Sequence, residues 1–252
     1  MKVCELYDFL SKKAPTQLSC DWDNDGLMCC PDPQREIKKV LVTLDITEKA
    51  VEFAQKGGFE VIISHHPLIF KPLRSIESPK LIKLIRGGIC AMSFHTRLDK
   101  ASGGVNDCLA ECLELSEISP FGTDGLGRIG NLPREMLPAE FALFAAKCLG
   151  SPFAHSVEGK SVCRRVAVVG GDGKDYINDA LMSGADAYLT GTVSYNSLVD
   201  VSETPLTVIA AGHYYTEKPV CKRITEFVNE ADADIYTEIF ECNPILTRSI
   251  VE

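Results

Sequence analysis

Apolar positions along the chain alternate between two periods. Val3, Leu6, Phe9 and Leu10 recur at helical spacing, which predicts a helix from Lys2 to Lys13, ended by Pro15. Val40 to Asp45 is a continuous apolar run that ends on a carboxylate and predicts a buried strand. Thr47 then caps a helix through Ala50, Val51 and Ala54, closed by Gly57-Gly58. Residues 59–64 predict a second strand. Ser78-Pro79 opens a helix carrying Leu81, Ile82, Leu84 and Ile85, and Gly87-Gly88 closes it. Ile89 to Phe94 predicts a third strand, and Gly103-Gly104 leads into a helix reaching about Glu114. Ser116 to Pro133, rich in Gly, Pro and Ser, breaks this rhythm and marks a domain boundary.

The alternation then resumes. A helix is expected over Ala139 to Leu149, a strand over Arg165 to Val169, a helix over Asp175 to Met182, and strands over Ala187 to Thr190 and Leu206 to Ala211. Ile235 to Phe240 predicts one more strand. Strand–helix alternation of this kind gives an α/β fold with mostly parallel sheets. In such sheets the crevice beyond the carboxyl ends of the strands is the default ligand site.

The polar residues at those ends carry the chemistry. Val61-Ile62-Ile63-Ser64 runs into His65-His66-Pro67, and Pro67 restricts His66 to extended backbone. Asp45, His95 and Asp99 follow two other strands. Gly212-His213-Tyr214-Tyr215-Thr216-Glu217 follows a fourth, with Thr216 as helix cap and Glu217 at the helix start. Four of the five histidines therefore stand at strand ends; His155 reads as a loop or edge-strand residue. A single histidine there would read as a satisfied loop residue, but the clustering points to metal. His65, His66, His213, Asp99 and Glu217 supply three nitrogens and two carboxylates, more than one tetrahedral catalytic zinc needs. Such a set suits two divalent ions about 3.5–4 Å apart with a shared carboxylate. Mixed nitrogen and oxygen donors favour zinc, iron or manganese over calcium. His95 is the candidate for acid–base work or for orienting a ligand, and Asp45 for orienting a ligand or a water.

Other features carry less. Asp21 to Leu27, around the only Trp of the chain, lacks the later Glu of a calcium loop and reads as a tight turn. Gly170-Gly171-Asp172-Gly173 could cradle an anion, but the GxGxxG spacing is absent and a tight strand-to-helix turn is the plainer reading. The 11 cysteines are scattered and read as reduced cytosolic thiols; Cys108 and Cys112 suit a buried helix face better than zinc, and vicinal Cys29-Cys30 has no CxxC partner. A net charge of −9 argues against a protein that coats nucleic acid. No run reaches membrane-spanning length, and the first ten residues, with Lys2, Glu5 and Asp8, do not read as a secretory signal.

Trp22-Asp23-Asn24-x-Gly26-Leu27, Leu44-Asp45-Ile46-Thr47, Ser64-His65-His66-Pro67, His95-Thr96-x-x-Asp99 and Gly212-His213-x-x-Thr216-Glu217, in this order, resemble the motifs of the Nif-three-like dinuclear-metal family, often labelled GTP cyclohydrolase 1 type 2. The resemblance spans the chain almost from end to end. It implies two α/β domains, here 1–122 plus 207–252 and 123–206, with a metal cleft formed by the first domain and the returning C-terminal segment. It implies that His66 and Asp99 bind one ion, that His65 and His213 bind the other, and that Glu217 bridges both. It further implies a ring-shaped homohexamer and a metal-dependent hydrolase with a small-molecule substrate of nucleotide type; the thiols and the first ten residues make the expected location cytoplasmic. Alternatives from other classes are a two-metal phosphoesterase and a non-enzymatic, metal-stabilised ring that binds a partner. The chain departs from the family pattern after Ser183 to Gly191. There Thr192 and Tyr195-Asn196 stand where the family has an acidic residue and histidine, and Lys218-Pro219 follows Glu217.

Overall fold

The computed structural model describes residues 1–159 and 162–247. They form two compact units: Met1–Ser102 with Val220–Pro244, and Gly103–Pro219 with the described residues from Ile245 onward. Residues 160–161 and 248–252, which the expected division gave to the second and the first domain, lie outside the described residues.

The first unit opens with α1 (Val3–Lys13), which buries Val3, Leu6 and Leu10. Then follow β1 (Gly26–Cys29), β2 (Lys39–Thr43), α2 (Glu48–Gly57), β3 (Val61–Ser64), α3 (Pro79–Gly87), β4 (Cys90–Ser93) and the short α4 (Thr96–Lys100). The Thr47 hydroxyl accepts from the Ala50 amide, as the cap reading required, and Gly58 and Gly88 close their helices in the left-handed conformation. β4, β3 and β2 are parallel neighbours, and α2 and α3 supply the crossovers that parallel pairing demands. Leu41, Ile62 and Ala91 pack against Val51, Ala54, Leu81 and Leu84 of these helices. Every residue of β3 and β4 is buried, which explains their unbroken apolar character.

The second unit contains α5 (Val105–Cys112), β5 (Ser116–Phe121), β6 (Gly127–Met136), α6 (Pro138–Leu149), β7 (His155–Val157), β8 (Cys163–Val169), α7 (Ile177–Met182), β9 (Ala187–Thr190), α8 (Tyr195–Ser202), β10 (Thr207–Ala210) and α9 (His213–Glu217). Its sheet runs β5-β6-β8-β9-β10-β7, with a parallel centre at β8, β9 and β10 and antiparallel flanks. The chain then returns to the first unit as α10 (Val220–Ala231) and β11 (Tyr236–Ile239), and β11 pairs parallel with β2.

Several elements differ from the sequence expectation. Ser116 to Pro133 is an antiparallel strand pair. β5 exposes five of its six residues and has no buried face to betray it, and Pro120 sits on an edge strand, where a missing donor costs nothing. The β6 register shifts between Asn131 and Met136, beside Pro133. Tyr195 to Ser202 is a helix capped by the Ser194 hydroxyl, although only Val201 of it is buried. Thr216 is not a helix cap. It lies inside the short turn of α9, where its hydroxyl contacts the carbonyls of Gly212 and His213 and accepts from the Gly171 amide.

Register places the site. Thr43 pairs with Ser64, and Ser64 with Ser93. The residues just past three adjacent strand ends, Asp45, His65-His66 and His95, are therefore delivered side by side. In the second unit Val169 pairs with Thr190, and Thr190 with Ala210. Gly170-Gly171, Gly191 and Gly212-His213 are gathered by the same logic.

Candidate metal-binding site

In the first unit His65, His66 and His95 each offer a ring nitrogen within 4.8 Å of the other two. Their ring centroids are 5.0, 5.3 and 5.8 Å apart. The hydrogen bonds assign the tautomers of all three. His65 is buried, and its Nδ1 donates to the Phe94 carbonyl at 2.9 Å, since a carbonyl can only accept. In the neutral ring its Nε2 is the lone-pair nitrogen, and it lies 3.6 Å from Asp99 Oδ1. His66 Nδ1 donates to Asp45 Oδ1 at 2.8 Å, and His95 Nδ1 to Asp23 Oδ1 at 2.9 Å. Each imidazole is thus held through Nδ1 by an oxygen acceptor. This is how metal-ligating histidines are oriented.

Behind His95 stands a support that the sequence reading missed. Asp23 Oδ2 accepts from the Thr96 amide at 3.0 Å and from its hydroxyl at 2.6 Å, while Oδ1 takes His95. Burial raises the Asp23 pKa, but the hydrogen bonds from His95 and Thr96 outweigh it and hold the carboxyl well below the usual range. Its neighbour Asp25 is pushed the other way, by burial first, against the Arg97 guanidinium. Arg97 is fully buried, with Nε 3.3 Å from Asp25 Oδ2 and its guanidinium 4.3 Å from the Phe94 ring centroid. The only hint in the sequence was an acidic run around the lone Trp. Nothing in it said which strand end those acids would meet.

Trp22 and Phe70 form an exposed aromatic edge beside this cluster. Trp22 is 64% and Phe70 48% exposed. Their centroids are 6.1 Å apart and lie 6.1 and 6.3 Å from that of His95. The Asn24 side-chain amide donates to the Ile69 carbonyl at 2.5 Å, tying the Trp22 loop to the Phe70 loop.

In the second unit His213 Nε2 is 3.0 Å from Glu217 Oε2, one helical turn along α9. Glu217 is buried. The glycines around it explain how a carboxylate fits there. A Cβ on Gly171, whose φ is +68°, would overlap Glu217 Oε1 and lie 3.2 Å from His213 Cε1. A Cβ on Gly191 would lie 2.7 Å from His213 Cα. The Gly170-Gly171 turn is therefore a close seat for Glu217. His155 is on edge strand β7 and exposed, its backbone paired with Ala210.

An α/β protein that presents oriented imidazoles and carboxylates beyond its parallel strand ends carries donors suited to divalent metal ions. The chain belongs to the Duf34/NIF3 (NGG1p interacting factor 3) family, which it matches over residues 1–244. It is 33% identical over 248 residues, 93% of its length and 94% of the relative's, to a GTP cyclohydrolase 1 type 2 homolog of Clostridium perfringens. A homolog of the same description from Methanocaldococcus jannaschii is 32% identical over 236 residues, covering 91% of this chain and 95% of the relative. Among solved structures, Staphylococcus aureus protein SA1388 superposes with a TM-score of 0.90 at 23% identity over 99% of both chains. Reduced HcgD from Methanocaldococcus jannaschii gives 0.83 at 32% identity, over 95% of this chain and 97% of its own. No described helix is long and apolar enough to cross a membrane.

Proposed function

We propose that the protein is a dinuclear metal-dependent hydrolase acting on a nucleotide-type small molecule. His66 and Asp99 would hold one divalent ion, His65 and His213 would hold the second, and Glu217 would serve both; zinc, iron or manganese would suit these donors. The observation that carries this reading is the convergence of the His65, His66 and His95 ring nitrogens within 4.8 Å, with each Nδ1 already engaged by an oxygen. The donor set fits, since neutral imidazole and carboxylate are the ligands those metals share. Divalent ions bound there would supply the Lewis acidity that makes water a nucleophile near neutral pH.

The chain's own residues do the rest. Asp45 and the Phe94 carbonyl fix the tautomers of His66 and His65. Asp23 fixes His95, whose Nε2 is the group that moves a proton at the reacting centre. Trp22 and Phe70 offer flat faces against which a planar ring can stack. The names of the relatives support a nucleotide as substrate. A cytoplasmic homohexameric ring is the assembly we propose for it.

The test is to load the protein with metal and incubate it with GTP and, separately, with a generic phosphodiester. Opening of the guanine imidazole ring supports the cyclohydrolase activity. Phosphate-ester cleavage alone assigns the centre to phosphoester hydrolysis. Neither product, with metal retained, replaces both with a binding role.

A further inference from the structure

β1 and β4 are antiparallel, and their register carries one irregularity. Gly26 faces Ser93 and Leu27 faces Met92, but Cys29 faces Ala91. One extra residue has entered β1, a β-bulge. Without it Cys29 would stand opposite Cys90. With it, the next residue, Cys30, takes that place. The thiols confirm the count: Cys30 Sγ lies 3.2 Å from Cys90 Sγ, while Cys29 packs against the core that contains Leu41, Ile62 and Ala91. Directly opposed residues of an antiparallel pair have Cα atoms about 4.5–5.5 Å apart, inside the range that a disulfide spans.

We propose that Cys30 and Cys90 are a reversible disulfide pair, a modification site separate from the histidine cluster. Among the described residues the close groups of three metal-ligand atoms do not include either cysteine, so the geometry favours a bond between two sulfurs over a thiolate metal site. Cys30 is partly exposed and Cys90 fully buried, which sets the order of events. The Cys30 thiolate attacks a small-molecule disulfide, RSSR, forming a mixed disulfide and releasing RS⁻. The Cys90 thiolate then attacks the Cys30 sulfur and expels the second RS⁻. The two cysteine protons end on the two released thiols. The pair loses two electrons, and RSSR is reduced to two RSH. Burial and the hydrogen bond with Cys90 push the Cys30 thiol up to about 12, so the thiolate is scarce at neutral pH and oxidation is slow.

The experiment treats the reduced full-length chain with excess oxidised glutathione under native conditions, alkylates the remaining thiols and maps peptides without reduction. The expected result is the loss of two of the 11 alkylatable cysteines and one cross-linked peptide joining Cys30 to Cys90, reversed by dithiothreitol. Cys29→Ser should keep the cross-link, and Cys30→Ser should abolish it while near-UV circular dichroism stays native. Retention of all 11 thiols, a cross-link through Cys29, or a glutathione adduct that persists on Cys30 with Cys90 free would overturn the proposal.

Discussion

Asp23 Oδ1 accepts a hydrogen bond from His95 Nδ1 at 2.9 Å, across 72 residues of sequence. The same carboxylate takes the amide and hydroxyl of Thr96. It therefore fixes both the ring that reaches the candidate site and the start of the helix that carries Asp99.

Replacing Asp23 with Asn leaves the shape but offers an NH₂ to groups that themselves donate. The expected cost is about 1–3 kcal/mol of stability, the usual penalty for a buried donor left unmatched. The ¹⁵N shifts of the His95 ring should show a changed tautomer balance. The pH dependence has a definite sign. Asp23 is depressed in the folded state, so its contribution is present above the unfolded value near 3.8 and is lost as pH falls through the lower folded value. The stability gap between wild type and Asp23→Asn should therefore narrow as the pH of denaturation is lowered from about 3.8 toward the folded value. A gap that stays constant down to the acid transition contradicts the assignment.

Arg97 and Asp25 form a buried ion pair, so removing one member strands the other. Asp25→Asn alone is expected to cost about 3–5 kcal/mol, and Asp25→Asn with Arg97→Met distinctly less. Urea denaturation of the two single variants and the double variant measures the coupling. Additive losses would mean that the pair is not coupled.

Gly171 sits where a Cβ would overlap the Glu217 carboxylate, and its φ is positive. Gly171→Ala should lose about 1–3 kcal/mol from backbone strain alone and displace Glu217 as well. Gly184, also at positive φ but with open space around its Cβ position, is the control. Gly184→Ala should lose less, and equal losses would remove the role given to Glu217.

Under the proposed ligand set, Glu217→Ala should lose both ions together, whereas Asp99→Ala should lose one. Metal analysis of protein purified without chelating resin reads the stoichiometry. Full occupancy in Glu217→Ala would eliminate the shared carboxylate.

The chain has one Trp, exposed beside His95 and Phe70. Its fluorescence therefore reports on the proposed substrate face without interference from other indoles. Titration with GTP should change Trp22 emission saturably. Phe70→Ala should weaken the apparent affinity by about 1 kcal/mol, roughly fivefold, the scale of one lost stacking contact. Emission indifferent to GTP while metal stays bound would move the substrate face elsewhere.

Local pattern carried much of this protein. Buried parallel strands must be apolar throughout, so Val40 to Asp45, residues 59–64 and Ile89 to Phe94 announced themselves, and the histidines and carboxylates just past their ends stood out against that background. The glycine closures and the Thr47 cap were legible because each satisfies a backbone need within a few residues. Long-range partners were not. Which acid orients which imidazole depends on strand order and register, so Asp23 with His95, Asp45 with His66, and Arg97 with Asp25 became visible only when β1, β4, β3 and β2 were laid side by side. β5 was hidden because an exposed edge has no buried face to impose a period, and β6 because Gly127, Gly130 and Pro133 interrupt its apolar positions. The choice of Cys30 over Cys29 as the neighbour of Cys90 turned on one extra residue in a strand. Sequence records the residue, but only pairing reveals that it is extra.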